Sequence, residues 1–168
     1  MKLVISDCTL NIPEVQNVEV IDLTTKKIAT CLGCFGCWVK TPGRCVIRDD
    51  AIEIYPKVAK NDRLIYITKL KFGSYDTPMK TLLERTIPIQ QAFIHIHNGE
   101  AHHVQRDVVP KHAIIIAYGD YSTEEKELFL RLVERNAHNM IFEKHRVLFV
   151  KESGLNNLIM KVLSQWKK

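Results

Sequence analysis

The chain has 168 residues, of which 46% are hydrophobic, and a formal net charge of +5. This length and composition predict one globular domain, residues 1–168, with a proper hydrophobic core. No run approaches the roughly 18 apolar residues of a membrane span, and the basic residues are scattered, so we expect neither membrane insertion nor nucleic-acid binding. The first residues lack the apolar stretch of a signal peptide, and we expect a soluble, cytoplasmic protein.

The beginning of the chain predicts two strands with an unusually short connection. β-branched residues indicate strands at 2–7 and 17–23, and the nine residues 8–16 contain a proline, no glycine and no helical period. A parallel crossover normally needs a dozen or more residues and a helix. Nine extended residues span about 30 Å at roughly 3.3 Å each, which is enough to recross a strand but leaves no room for a helix. We therefore predict that the first crossover helix is missing.

Four cysteines follow within fifteen residues, in a segment that we expect to be a loop: Cys31, Cys34, Cys37 and Cys45. Three are spaced C-x2-C-x2-C, and the fourth returns after a Pro42-Gly43 turn. Thiolates gathered in this way suit a soft metal, either zinc or an iron–sulfur cluster. Disulfides are the rival interpretation, but clustered cysteines in an intracellular protein favour metal or redox chemistry. Zinc sites more often use two separated C-x2-C pairs, and unmetallated thiols are the third alternative.

The rest of the chain alternates apolar strands with helices. Buried-type strands are predicted at 63–68, 112–117 and 146–150. Helices are predicted from an Asp49-Asp50 cap to about Lys60, from Thr77-Pro78, from a Ser122/Glu125 capping box, and over 155–166. This alternation predicts an α/β fold whose five-stranded parallel sheet is doubly wound in the flavodoxin-like order 2-1-3-4-5. Ligands of such sheets bind at the carboxyl ends of the strands, so we expect the chemistry in the loops after Asp7, Thr68 and Ala117.

An extra segment, residues 93–104, alternates around Asn98-Gly99 and predicts a β-hairpin arm. One side of this ribbon carries imidazoles and a carboxylate: His95, His97, Glu100 and His102. The other side carries apolar side chains: Ile94, Ile96 and Ala101. The polar side could bind metal or shuttle protons, but we favour an arm whose apolar side packs on the body or on a second subunit. His138 and His145 are interpreted as surface or capping residues.

Several segments carry a resemblance to a known family. They are the cysteine block CLGCFGCWVKTPGRCVIRDD, the strand RLIYIT with its FGSY loop, MKTLLER and GEAHH. Together they resemble the flavodoxin-like NAD(P)H-dependent FMN reductases and, more narrowly, the iron–sulfur flavoproteins among them, which carry a compact four-cysteine motif. The resemblance runs from about Cys31 to Asn139, and its most specific part is the cysteine block with its trailing Asp-Asp.

The resemblance implies two cofactors and their ligands. The four cysteines match the ligands of a [4Fe–4S] cluster, and FMN is expected at the carboxyl ends of the strands. One loop matches the segment along the isoalloxazine ring: Thr68, Phe72, Gly73, Ser74 and Tyr75. A later loop near the flavin matches Tyr118, Gly119 and Asp120. The resemblance also implies a homo-oligomer, dimer or tetramer, and a redox partner protein; the chemistry would belong to the cofactors, without a catalytic acid or base in the chain.

Two departures from the family pattern bear on the flavin. The family's first strand normally ends in a Ser/Thr/Gly-rich loop and a helix that grip the FMN phosphate, and both are missing here. The usual proline and aromatic before the FG pair are replaced by Lys69-Leu70-Lys71, where the lysines either supply charge to the cofactor or belong to a solvated loop. An alternative function follows. The chain would be a degenerate, flavin-free scaffold that binds a partner protein through apolar sheet surface uncovered around Val4 and Val20.

Overall fold

The computed structural model describes residues 2–165 and shows an α/β fold with one main sheet and a two-stranded arm. The strands are β1 (Lys2–Ser6), β2 (Val18–Asp22), β3 (Arg63–Lys71), β4 (Ser74–Tyr75), β5 (Gln90–His97), β6 (Glu100–Gln105), β7 (Lys111–Tyr118) and β8 (Phe142–Val150). The helices are α1 (Gly36–Val39), α2 (Ala51–Lys60), α3 (Thr77–Glu84), α4 (Thr123–Asn139) and α5 (Leu155–Gln165). No helix within the described range is long and apolar enough to cross a bilayer.

The main sheet confirms the predicted strand order. Its five long strands run β2-β1-β3-β7-β8 and pair in parallel throughout, which is the doubly wound 2-1-3-4-5 arrangement. β3 is three residues longer than predicted because it continues to Lys71 and turns back into β4, its antiparallel neighbour. Phe72 and Gly73 make this tight turn with φ values of 52° and 70°. A side chain at Gly73 would also clash with Leu128 of α4, so this position requires glycine on two grounds.

Apolar side chains cover both faces of the sheet, as the continuous strand hydrophobicity predicts. On one face, the strands pack against α2, α3 and α4; on the other, they pack against α5. α4 begins with the predicted capping box, in which Ser122 and Glu125 each accept a hydrogen bond from the other's backbone N–H. The Asp49-Asp50 pair precedes α2, and of the two side chains it is that of Asp49 that accepts a hydrogen bond from the helix start, at Ala51 N. The end of the predicted last helix, at Trp166, lies outside the described residues.

The first crossover confirms the missing helix. Residues 7–17 contain no regular helix or strand, and this bare chain lies over the α5 face of the sheet with Leu10, Ile12 and Val15 partly buried against the core. The prediction that Val4 would be uncovered is wrong, because these apolar side chains together with α5 bury it completely. Val20, on the edge strand β2, is 45% exposed, as predicted.

β5 and β6 form the hairpin arm, residues 90–105, with the predicted pairing of His97 with Glu100 and of His95 with His102. We expected the apolar side of the arm to pack on the body, and this expectation is wrong. The apolar side faces outward, with Ile96 73% exposed, whereas the histidine side lies against α4. The reason is that a bidentate ion pair from Arg135 to Glu100 holds the polar side on the helix. Packing of the apolar side on a second subunit stays a prediction.

Candidate functional site

We predicted that the cysteine segment is a loop. The structure differs, because the segment contains the four-residue helix α1. The helix starts after Phe35, whose φ of 53° lies in the left-handed region, and it carries Cys37 into the protein. Cys37 is buried, Cys31 and Cys45 are half-buried, Cys34 is exposed, and none of them forms a disulfide. The tight bend before α1 therefore lets one short segment present thiols at several depths.

The four thiols of this segment converge. Burial raises the pKa of Cys37, and Cys45, Cys31 and Cys34 raise it further, which places each of these three thiols within electrostatic reach of Cys37. Four convergent thiolates suit either tetrahedral zinc or a [4Fe–4S] cluster, in which each thiolate binds a different iron.

A buried cation, which sequence reasoning overlooked, stands beside the cysteines. Arg85, at the end of α3, is only 1% exposed and donates to Asp49 at 2.6 and 2.9 Å and to Ala29 O at 2.7 Å. Burial alone would lower the pKa of Arg85, but Asp49 and the nearby Cys45 outweigh this effect, so the pKa of Arg85 is raised. Asp49 also accepts a hydrogen bond from Ala29 N. This network fixes the chain just before the first cysteine, and the trailing Asp-Asp of the motif is the signal that could have revealed it.

Aromatic contacts anchor the same segment on the arm. Trp38 of α1 donates from Nε1 to Ile87 O at 3.3 Å, and its ring lies 4.6 Å from that of His103 on β6. No histidine is close to the cysteines in the sequence, so this neighbour could not be predicted from spacing. The arm and the cysteine segment are therefore in direct contact.

The three loops predicted to carry chemistry meet at the carboxyl ends of the strands, around a carboxylate that we did not single out. Asp7, after β1, accepts hydrogen bonds from Thr68 Oγ1 at 2.7 Å, Lys69 N at 3.0 Å and Tyr118 Oη at 3.0 Å. Burial raises the pKa of Asp7, and these hydrogen bonds oppose that rise only in part. The chain thus places its own buried anionic group where the family's phosphate loop begins.

Most residues that the resemblance assigns to FMN are already engaged by the protein itself. Thr68, Tyr75 and Tyr118 are buried, and the Tyr75 ring packs on Phe129 at 5.0 Å. Lys69 lies over Gly119 and pairs with Glu152 at 3.7 Å.

The exception is the tip of the β3–β4 turn. Phe72 is 81% exposed in a left-handed conformation that is rare for an aromatic residue. With Lys71 and Ser74, it lines a cleft of about 420 Å³ against Thr30 and the start of α3. Lys71, however, pairs with Asp76 at 3.7 Å. Asp120, in the later loop, is exposed.

These residues do not fit FMN in the way the family holds it. The exposed Phe72 ring could cover a flavin face, but the phosphate finds no helix N-terminus after β1, and the two lysines of the predicted flavin loop, Lys69 and Lys71, both have carboxylate partners. An ionised Asp7 would repel a phosphate placed beside it. The predicted loops therefore do not offer the phosphate site that the family pattern implies.

Comparison with known proteins agrees with the residues that carried the resemblance. An iron–sulfur flavoprotein of Methanocaldococcus jannaschii is 35% identical over 75 residues, which are 45% of this chain and 38% of that protein. One from Archaeoglobus fulgidus is 35% identical over 71 residues, 42% of this chain and 31% of that protein. The predicted resemblance to the iron–sulfur flavoproteins is confirmed. The matched segments thus cover well under half of these relatives, and no family model matches the chain.

Solved structures extend the likeness to the whole fold. An FMN-dependent NADH-azoreductase from Bacillus anthracis in complex with FMN superposes with a TM-score of 0.61 over 99% of both chains at 10% identity. An NAD(P)H:quinone oxidoreductase from Methanothermobacter marburgensis gives a TM-score of 0.57 at 12% identity, covering 90% of this chain and 86% of that one. At such identities the likeness shows the flavodoxin-like fold and nothing finer.

Proposed function

We propose that the protein is a flavodoxin-like oxidoreductase of the iron–sulfur flavoprotein kind, which carries electrons on an iron–sulfur cluster in the cytoplasm. The convergence of Cys31, Cys34, Cys37 and Cys45 is the observation that carries this proposal. Such a cluster accepts and releases single electrons. The C-x2-C-x2-C spacing in the sequence, the lack of disulfides among these cysteines and the names of the curated relatives support it.

The surroundings of the cysteines suit a negatively charged cluster. Four thiolates carry excess negative charge, and the buried Arg85 guanidinium beside Cys45 offsets part of it. Cys34 is exposed, which gives electrons a short route to a partner at the surface. The chain's own contribution is to hold the thiols and to set the charge around them.

FMN enters the proposal as a second cofactor that this chain does not hold by itself. The side chains that would face its ring are Phe72 and Ser74, at the cleft beside α3. We propose that a neighbouring copy in a dimer or tetramer supplies the phosphate contacts that the strand ends lack. The electron donor would be NAD(P)H and the acceptor a redox partner protein.

The test is purification without oxygen, followed by an ultraviolet–visible spectrum and assays of iron, sulfide, zinc and flavin on one sample. We expect a broad iron–sulfur absorbance and about four irons per chain. Cys34→Ser should lose the iron, whereas the matched control Cys8→Ser should keep it, because Cys8 lies after β1, away from the cysteine segment. Stoichiometric zinc without iron, or a metal-free protein that resists reconstitution, would overturn the proposal.

One observation favours a second candidate, the flavin-free scaffold that binds a partner protein. At the strand ends, Thr68 and Tyr118 donate their hydrogen bonds to Asp7 and not to a ligand, while Phe72 is exposed. On this alternative, the purified protein carries no flavin and takes none up, yet forms a complex with a flavoprotein. A strictly monomeric protein with neither flavin nor partner would exclude it.

A further inference from the structure

A group of metal-type ligands lies apart from the cysteines, where the hairpin arm meets α4. We call it the arm cluster, and it consists of Glu100, His102 and His138. Glu100 and His102 are alternate residues of β6 and so point to the same side of the arm. His138, in the last turn of α4, faces them from the body, although we had interpreted it as a surface or capping residue. Two separate elements therefore bring one carboxylate and two imidazoles together.

The distances match those of a small coordination sphere. Glu100 Oε2 lies 3.3 Å from His102 Nε2 and 3.5 Å from His138 Nε2, and all three atoms lie within 4.8 Å of one another. Tetrahedral zinc with bonds of about 2.0–2.1 Å has ligand atoms about 3.3–3.4 Å apart. The arrangement thus already has nearly the spacing that one ion would impose.

Burial provides an independent indication. His102 is only 5% exposed, and its Nε2 atom points into the cluster without a hydrogen-bond partner; Nε2 of His138 is likewise buried and unpartnered. Buried polar atoms in native proteins nearly always have a partner, because leaving one unmade costs about 1–3 kcal/mol. Two such nitrogens beside the same carboxylate oxygen are ligand atoms that remain available to an ion.

We propose that Glu100, His102 and His138 form a binding site for a divalent transition-metal ion of the zinc type. Imidazole nitrogens and a carboxylate oxygen are the ligands that such ions prefer. Three protein ligands leave a fourth position for water or for His97, whose ring centroid lies 6.0 and 5.8 Å from those of His102 and His138. The ion would tie the hairpin arm to α4, and the site is independent of the function proposed for the cysteines.

Arg135 keeps the carboxylate ready for this role. Its guanidinium donates to Glu100 at 2.7 and 3.1 Å, and this pair lowers the pKa of Glu100 to about 2. The two hydrogen bonds therefore hold the carboxylate in place beside the two imidazoles. Such outer contacts, which orient a ligand and hold its charge, are typical of metal sites.

The experiment uses the full chain, purified without oxygen, and titrates it with Co²⁺ alone, whose spectrum distinguishes the two sites of the chain. Nitrogen and oxygen ligands give only visible d–d bands, whereas thiolate ligands add intense near-ultraviolet charge-transfer bands. We expect one equivalent of cobalt to bind without the thiolate bands. His138→Asn should weaken this binding by about tenfold or more, since even outer-shell changes at metal sites cost 10–100-fold.

The matched control is His145→Asn, because His145 lies nearby on β8 but pairs with Glu134 at 3.1 Å and is not part of the cluster. This variant should bind cobalt as the wild type does. Equal affinity in the wild type and His138→Asn, or binding that always shows thiolate bands, would overturn the proposal.

A second measurement covers the outcome in which a variant is merely less stable. Zn²⁺ should raise the thermal unfolding midpoint of the wild type and of Arg135→Gln, which keeps all three ligands, more than that of His138→Asn, because any zinc bound by the cysteines stabilises all three proteins alike. If the cluster is only a network of ion pairs, zinc will shift the midpoints of all three proteins equally. That result would also overturn the proposal.

Discussion

Two carboxylates of this protein have opposite surroundings, and the contrast explains what each site can accept. Asp7 is buried among neutral donors, two hydroxyl groups and a backbone N–H, and its pKa is raised. Glu100 lies between Arg135 and two imidazoles, and its pKa is lowered to about 2. Around Asp7 every donor already has this carboxylate as its acceptor, so none of them is available to a ligand. Around Glu100 two nitrogens have no partner, so the site can still take one.

The same distinction applies to other charges of the protein. Asp49 is balanced by the cation of Arg85, as Glu100 is by Arg135. Lys111 resembles Asp7, because its ammonium group is fully buried and donates hydrogen bonds to three neutral carbonyl oxygens. Charges with charged partners keep their ionised form, whereas charges with neutral partners lose part of that preference. Each of the following predictions changes one member of these pairs.

The largest effect is expected from Arg85→Met, which removes a buried cation and leaves Asp49 without its partner. Breaking one side of a buried ion pair costs about 3–5 kcal/mol, so we expect a loss of that size in the free energy of unfolding, measured by urea denaturation. The matched control is Lys80→Met on the same helix, since its pair with Glu84 is exposed and contributes about 0.5 kcal/mol or less. If both variants lose a similarly small free energy of unfolding, the pair between Asp49 and Arg85 does not stabilise the fold as a buried ion pair would.

The sequence was sufficient for the fold but not for these partnerships. Continuous β-branched strands and capped amphipathic helices are local signals, and they predicted the sheet order and the hairpin register. Which side of the arm faces the body depends on the contact between Glu100 and Arg135, 35 residues apart, and has no periodic signal. For the same reason His138 could not be assigned to a cluster, and the roles of the flavin-loop and cysteine residues stay predictions.

The next effect concerns Lys111 and depends on pH. Burial lowers the pKa of Lys111 from its ordinary 10.5 to about 8. Between these values the unfolded chain holds the proton and the folded chain does not, so raising the pH favours the folded state by up to about 1.4 kcal/mol per pH unit. Below about pH 8 both states are protonated and this contribution stays constant. We expect the urea midpoint of the wild type to rise from pH 8 to about pH 9.5.

Lys111→Met provides the reference for this slope. It removes the titrating group, so its stability should lack the increase, although the three carbonyl oxygens lose their donor. The quantity to compare is therefore the change with pH in each protein, not the stability at one pH. Parallel curves for the two proteins would mean that Lys111 stays protonated in the folded state throughout.

The smallest change in stability, and the most direct test of the opening contrast, is expected from Asp7→Asn. The amide keeps an acceptor for Lys69 N and removes the negative charge, so stability should change by only about 1 kcal/mol. Because the raised pKa of Asp7 makes its ionised form unfavourable in the fold, the wild type should lose stability relative to the variant as the pH rises through that pKa.

Without the charge of Asp7, phosphate and FMN should bind the strand ends about tenfold more tightly, measured by titration of each ligand separately. The control Glu127→Gln neutralises an exposed carboxylate on α4, outside the predicted flavin loops, and should change neither quantity. If Asp7→Asn gains no affinity for either ligand, the missing helix, and not the buried carboxylate, is what closes this end of the sheet to phosphate.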